Sequence, residues 1–265
     1  MRDFLKNTLD TAEDLLYAIG LYVIMTLQAV GLLVVKAPKW SLIRDQLYSI
    51  GLLSLPVVAI TGLSTGMVLA AQSFFQLADK GLASATGIMV GKAMMTELGP
   101  VLTAFMVTGR IGSAMCAEIG TMKVTEQLDA MRSMSIDPIS YLVTPRLTAS
   151  TVMMPLLTLF STLTGILGGF IIACYFFDMA PVSYFGGMQI YITYFDFSTG
   201  LVKAVIFGVF IGSICCFKGM TANGGAAGVG RATTNSVVIC YTCILIFNFL
   251  LTLGMNTVRV WIYQR

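Results

Sequence analysis

Glu97 is a lone carboxylate in apolar surroundings, with Ala93-Met94-Met95-Thr96 before it and Leu98-Gly99-Pro100-Val101 after. On membrane-insertion scales such a charge costs about 2.5–3.5 kcal/mol, so it must face a cavity, a cationic partner or the headgroup layer. Its chemistry admits a proton carrier, one half of an ion pair, or a contact for a polar ligand head. Gln72, in MVLAAQSFFQL at 67–77, stands at the far end of the preceding apolar run and is expected at the same level. A polar mouth over apolar walls suits an amphiphile with one head and long tails.

The chain lacks the groups that other chemistries need. It has no histidine in 265 residues, which removes the conventional nucleophile triad, the zincin motif and an imidazole general base. The nearest approach to a phosphate-binding G-x-x-x-x-G-K-[ST] loop is Gly87-Ile-Met-Val-Gly91-Lys92-Ala93, which has the wrong spacing and no hydroxyl after the lysine. The six cysteines lie in or beside apolar runs and read as small buried hydrophobes; Cys240 and Cys243 have metal-like spacing but no second pair. The expectation is a chain with no catalytic residue, no metal and no cofactor of its own.

A second concentration of charge lies at 118–138, EIGTMKVTEQLDAMRSMSIDP. Thr125, followed by charges, can cap a short helix that Asp137-Pro138 ends near Ile136. Leu128, Met131 and Met134 recur at helical spacing. Such an element either lies on the inner membrane surface or docks into a partner's groove.

Both groups of residues must be positioned by membrane helices. The chain is 57% hydrophobic and only 11% charged, against about 25% charged in soluble domains, and its mean hydropathy is +0.85. A crossing needs roughly 20 apolar residues. The runs 46–78, 147–177, 204–217 with its flanks and 232–258 qualify, as does 81–117 despite Lys92, Glu97 and Arg110. The run 15–35 is long enough too, but it follows an acidic, capped start (Asp10, Thr11, Glu13, Asp14), so crossing and lying in the interface both stay open. The same acidic residues argue against a signal peptide. Helix interruptions fall mainly in the first two certain spans, at Pro56, Gly62 and Gly66, then at Gly99, Pro100, Gly109 and Gly112. Gly165, Gly168, Gly169 and the Gly208/Gly212 pair read as close helix packing.

Nine of the sixteen Lys and Arg lie in three loops, at 36–45 (Lys36, Lys39, Arg44), 110–146 (Arg110, Lys123, Arg132, Arg146) and 218–232 (Lys218, Arg231). The positive-inside rule makes these cytoplasmic. The alternate turns carry Lys80 and Lys92, or Asp178 and Asp196. The C-terminus then falls outside, which sets Arg259 and Arg265 against the rule.

The run ELGPVLTAFMVTGRIGSAMCAEIGTMKVTEQLDAMRSMSIDPISYLVTPR at 97–146 resembles the MlaE/YrbE-type permeases of lipid-transporting ABC systems. AGVGRATTNSVV at 227–238 is similar to their second signature, QLYSIGLLSLPVVAITGLSTGMVLAAQ at 46–72 matches as well, and the likeness covers nearly all of the chain beyond residue 40. The resemblance implies one all-α integral membrane domain over 1–265. Its parts would be an N-terminal membrane-embedded interfacial helix in 1–40, five transmembrane helices in 41–265 and a short cytoplasmic coupling helix.

It further implies a homodimer working with a cytoplasmic ABC ATPase dimer, which would bind the ATP and magnesium. A periplasmic MCE-domain hexamer and commonly a small STAS-domain protein would complete the assembly, with no nucleic acid involved. The implied substrate is phospholipid moved between inner and outer membranes, and the implied location is the inner membrane of a Gram-negative-type bacterium.

By the same resemblance Glu97 matches the family's carboxylate at the lipid pocket, and Leu69, Gln72, Gln76 and Leu77 match the pocket-lining span. Glu118, Lys123, Glu126, Gln127, Asp129, Met131 and Arg132 fall in the segment that couples to the ATPase, with Pro56, Gly99 and Pro100 as helix breaks or hinges. Close relatives carry arginine where this chain has Thr96, so a lipid phosphate would need another cation, Lys80 or Lys92. Two rival readings use the same residues: a structural membrane anchor for an MCE assembly, and an ion-coupled secondary transporter with Glu97 as its proton carrier.

Overall fold

The structure, a computed structural model, describes residues 2–35 and 40–263, with side chains described at Glu13 and over 16–33 and 40–261. Among the described residues the regular elements are all helical: α1 (Arg2–Val35), α2 (Trp40–Ile50), α3 (Leu55–Ala78), α4 (Thr86–Ala93), α5 (Gly99–Val107), α6 (Ser113–Val124), α7 (Gln127–Ser133), α8 (Thr144–Ile171), α9 (Pro181–Tyr191), α10 (Tyr194–Met220) and α11 (Gly225–Tyr263).

Small residues set how these helices meet, because in lipid the contact is driven by close packing and not by expulsion of water. The α3–α8 contact brings Gly66 onto the backbone of Gly165 and Gly168 onto the carbonyl of Leu63. The α8–α10 contact brings Gly208 onto Ser150 and Thr151, and Gly212 onto Leu147. A Cβ at Gly66, Gly168 or Gly208 would overlap backbone atoms of the facing helix, and one at Gly212 would strike the Ser150 hydroxyl. α8 is therefore the central post, with α3 on one side and α10 on the other.

Six helical stretches are long and apolar enough to cross a membrane: 16–33, 40–78, 83–124, 139–176, 194–220 and 225–261. The last five coincide with the five certain runs of the sequence. α1 is already helical from Arg2, so the Asp10–Thr11 position lies within the helix and does not start it. Tyr22, Met25 and Ala29 of α1 join one buried cluster with Ile119, Leu128, Val143, Leu147 and Phe217. The Tyr22 hydroxyl lies 2.7 Å from Ser213 Oγ. Tyr22 also packs against the main core cluster, and both crossing and interfacial placement of α1 are compatible with these contacts. Lys36, Lys39 and Arg265 lie outside the described residues.

The expected breaks take other forms. Pro56 sits in the first turn of α3, after a tight turn at Leu52–Ser54, where its missing N–H costs nothing. Gly99 and Pro100 do not interrupt their span. A wide π turn at Met94–Leu98 leads into α5, a second at Thr108–Gly112 leads into α6, and residues 83–124 form one continuous helical path. The irregularities also extend beyond the first two spans, to π turns at Ile139–Val143 and Ile172–Phe176 and to Pro155 inside α8.

Candidate functional site

The π turn at Met94–Leu98 carries Glu97. In a regular α-helix residues five apart point roughly 140° apart. A wider i→i+5 turn narrows that angle, and here Lys92 and Glu97 border the same cavity.

Glu97 is met by three side chains from two other spans. Its Oε1 accepts from Lys203 Nζ of α10 at 2.6 Å and from Thr252 Oγ of α11 at 2.9 Å, and its Oε2 accepts from Asn248 Nδ2 of α11 at 3.0 Å. Asn248 and Thr252 are one helical turn apart, which places both on the face that meets Glu97. The Lys203 ammonium also donates to the Thr96 carbonyl at 3.1 Å and to Thr252 Oγ at 2.8 Å, so its three protons have three acceptors. Lys203 is fully buried, whereas the Glu97 side chain keeps 35% of its exposure. A buried ammonium without a counter-charge is strongly unfavourable; Glu97 supplies that counter-charge and still presents an open side.

That open side faces a cavity of about 110 Å³ lined by Lys92, Thr96, Asp196, Thr199, Asn256 and Arg259, among others. Buried Asp196 lies 3.5 Å from Arg259 and also accepts the Thr193 backbone N–H at 3.1 Å, closing the capping box that starts α10. This pair accounts for the C-terminal arginine that the positive-inside rule leaves on the wrong side: Arg259 is paired with an acid from the turn assigned to the outside.

Next to this cavity, and sharing Lys92 and Thr96 with it, is an open groove of about 440 Å³ lined by Leu77, Ala85, Ile88, Met89 and Ala93. Leu77 is thus beside the site. Leu69 packs against the buried Ala70, Val90 and Met94 cluster. Gln72 and Gln76 are exposed on α3 and line neither cavity. Lys80 is exposed in the turn after α3.

At the opposite end, Thr125 does not cap the short helix. Its hydroxyl bonds back to Thr121 O at 2.8 Å, within the end of α6. Glu126 takes a left-handed backbone conformation, φ +60°, and turns the chain into α7. α7 stops at Ser133, short of Ile136, because Ser135 is also left-handed at φ +58°. Asp137 then accepts the backbone N–H groups of Ile139 and Ser140, starting the next helical segment. Leu128 is the buried anchor of α7; Gln127, Asp129 and Arg132 face outward and Met131 is half-buried. Asp129 is bridged by Lys123 at 3.3 Å and Arg132 at 3.1 Å. Glu118 pairs at 2.8 Å with Arg146, which is buried.

Sequence reasoning passed over Lys203, Asn248 and Thr252. The available signal was that Lys203 is the last charge before the uncharged 204–217 run, at a depth where a cation needs a carboxylate. Among the described residues no group of His, Cys, Asp or Glu could hold a metal ion.

Six helical stretches long and apolar enough to cross a membrane, joined by an ion pair between spans, define a multi-pass membrane protein. The chain matches the family described as Permease MlaE over residues 43–253, and it belongs to that family. It is 40% identical over 248 residues to a probable ABC transporter permease protein, RT0041, of Rickettsia typhi, covering 93% of this chain and 94% of the relative. It is 39% identical over 208 residues to the probable ABC transporter permease protein slr1045 of Synechocystis, covering 78% and 79%. It is 35% identical over 212 residues to the intermembrane phospholipid transport system permease protein MlaE of Haemophilus influenzae, covering 80% and 81%.

Proposed function

We propose that this chain is the membrane permease subunit of an ABC transporter that moves phospholipid between inner and outer membranes from its place in the inner membrane. The observation that carries this is the continuous helical path of residues 83–124, with the Glu97–Lys203 network near its start and α7 at its far end. From Glu97 to Val124 a helix rising 1.5 Å per residue spans roughly 40 Å, more than the ~30 Å hydrocarbon core. A push on α7 would therefore reach the lipid-facing end through one connected rod.

In this reading a cytoplasmic ATPase pair hydrolyses ATP and engages the exposed face of α7 through Gln127, Asp129 and Arg132, with Glu126 at the joint. Lys123 and Glu118 are drawn into internal ion pairs and act as struts. A second copy of the chain completes the membrane unit. An MCE-domain hexamer outside and a STAS-domain protein inside complete the assembly in this reading. Leu77 lines the apolar groove that acyl chains follow, each buried methylene contributing about 0.8 kcal/mol; Gln72 belongs with Glu97 to the polar mouth, and Leu69 and Gln76 to the same α3 span. Glu97 orients the head at the polar end, and the π turn around Gly99 and Pro100 gives the rod a place to flex.

The Glu97–Lys203 pair weighs against the secondary-transporter reading, because the carboxylate is already neutralised inside the bundle. A pure anchor has no use for a strained joint at Glu126. Phospholipid phosphorus measured in the complex purified with its ATPase tests the assignment. The expected result is bound phospholipid in the wild type and its loss in Glu97→Ala; no lipid in either would overturn it.

A further inference from the structure

We infer that α9 is a membrane-surface helix seated in the outer headgroup layer, and that the partner of its outward face is lipid. This goes beyond the permease reading and does not depend on it. α9 lies in the turn assigned to the outside, and from Met179 to Phe195 the chain carries no charge. Its inner face is occupied. Tyr184 is fully buried and donates to the Ile166 carbonyl of α8 at 3.1 Å, and Met188 is buried one turn further on. The Tyr184 carbonyl lies against Gly87 of α4, where a Cβ would overlap it, and Gly187 lies against the Ile88 side chain. α9 is thus pressed side-on against α4 and the outer part of α8. Ile88 also lines the apolar groove, so α9 backs one wall of it.

The outer face of α9 is apolar as well. Val182 is 82% exposed and Ile190 77%, with Phe185 exposed between them. A helix apolar on every side needs a non-aqueous neighbour on every side. Exposed aromatic rings stand at both ends, Tyr175 and Phe176 where the preceding span finishes, Tyr191 and Tyr194 where the next begins. Rings of this kind collect where hydrocarbon meets the headgroups. Asp79, Lys80 and Asp178, the charges of these outer turns, are exposed beside the span ends and not on α9.

The connections fix the level of the helix. Phe177–Ala180 joins α9 to the stretch that ends at Phe176, and only Ile192 and Thr193 separate it from α10. Links this short, with the side-on packing, hold the whole helix, roughly 17 Å at 1.5 Å per residue, beside the ends of spans that lipid already surrounds. Apart from tyrosine hydroxyls, Ser183 and Gln189 are its only polar side chains, too few for the polar rim of a protein–protein contact. Lipid meets the same face with no further chain.

The test places the photo-crosslinking residue benzoylphenylalanine at Val182, or separately at Ile190, in the full chain assembled with its partner subunits in its own membrane. After irradiation, the mass of the purified chain reads what was captured. Leu163, exposed on α8, is the lipid-facing reference, and Asn223, exposed in the turn after α10, is the aqueous one. The expected result is a phospholipid adduct at positions 182 and 190, in yield comparable with position 163 and severalfold above position 223. Both side chains are largely exposed, so the bulky residue displaces little packing, and either position alone decides if the other variant does not fold. Capture of another protein chain at either position, or lipid yields as low as at position 223, overturns the inference. Neither of those results touches the permease reading, which lipid transfer judges.

Discussion

Lys203 Nζ lies 2.6 Å from Glu97 Oε1, across 106 positions of sequence, and the ammonium is fully buried while the carboxylate is not. The pair joins the π turn to α10, and Asn248 and Thr252 fasten it to α11. Removing one partner of a buried pair typically costs about 3–5 kcal/mol, and the exposure of Glu97 puts this case at the low end. Glu97→Gln should therefore lower the thermal midpoint of the purified protein clearly, by leaving Lys203 unpaired. The double variant Glu97→Gln/Lys203→Met should recover most of that loss. A double variant that loses the sum of the two single losses would show that the two side chains do not interact.

Glu126 is a non-glycine residue at φ +60°, a conformation that costs on the order of 1 kcal/mol. Glu126→Gly should leave thermal stability unchanged or raise it by up to about 1 kcal/mol, while removing the charge at the joint. Glu126→Lys keeps the strain and reverses the charge. Both should lower lipid-stimulated ATPase activity in the assembled complex. If only the lysine variant does so, charge repulsion and not a native contact is the cause.

The α3–α8 contact leaves no room at Gly66, whose Cβ would fall on the backbone of Gly165. Gly66→Val should cost more than the ~1–3 kcal/mol usual for overpacking, because backbone and not a movable side chain blocks it. Gly186, which has open space around it, should accept alanine with little change. Fluorescence-detected size exclusion after heating separates the two outcomes.

Glu118 is largely exposed, yet it is the counter-charge of buried Arg146. Glu118→Ala should destabilise by more than the ~0.5 kcal/mol expected of a surface carboxylate, and Glu118→Ala/Arg146→Met should be milder than the single change. Identical stability of wild type and Glu118→Ala would place Glu118 outside the structural frame and return it to the docking surface.

The spans were legible because uncharged runs of sufficient length have few other uses, and the five certain ones match the helical stretches at 40–78, 83–124, 139–176, 194–220 and 225–261. Glu97 stood out for the same reason. Its partner did not, since pairing between residues 97 and 203 is a property of packing and leaves no local pattern. The π turns escaped as well: Gly99-Pro100 reads as a break, but a widened turn before the proline accommodates it without stopping the helix. At α7 the sequence suggested a Thr125 cap, whereas that hydroxyl is spent on the preceding turn and the left-handed Glu126 makes the corner.

The most direct test of the central claim is ATP-driven transfer of labelled phospholipid by the assembled complex in proteoliposomes, wild type beside Glu126→Lys. The account predicts transfer that requires ATP in the wild type and is lost in the variant although the subunits remain together. Transfer that proceeds without ATP, or at the same rate in both proteins, would contradict it.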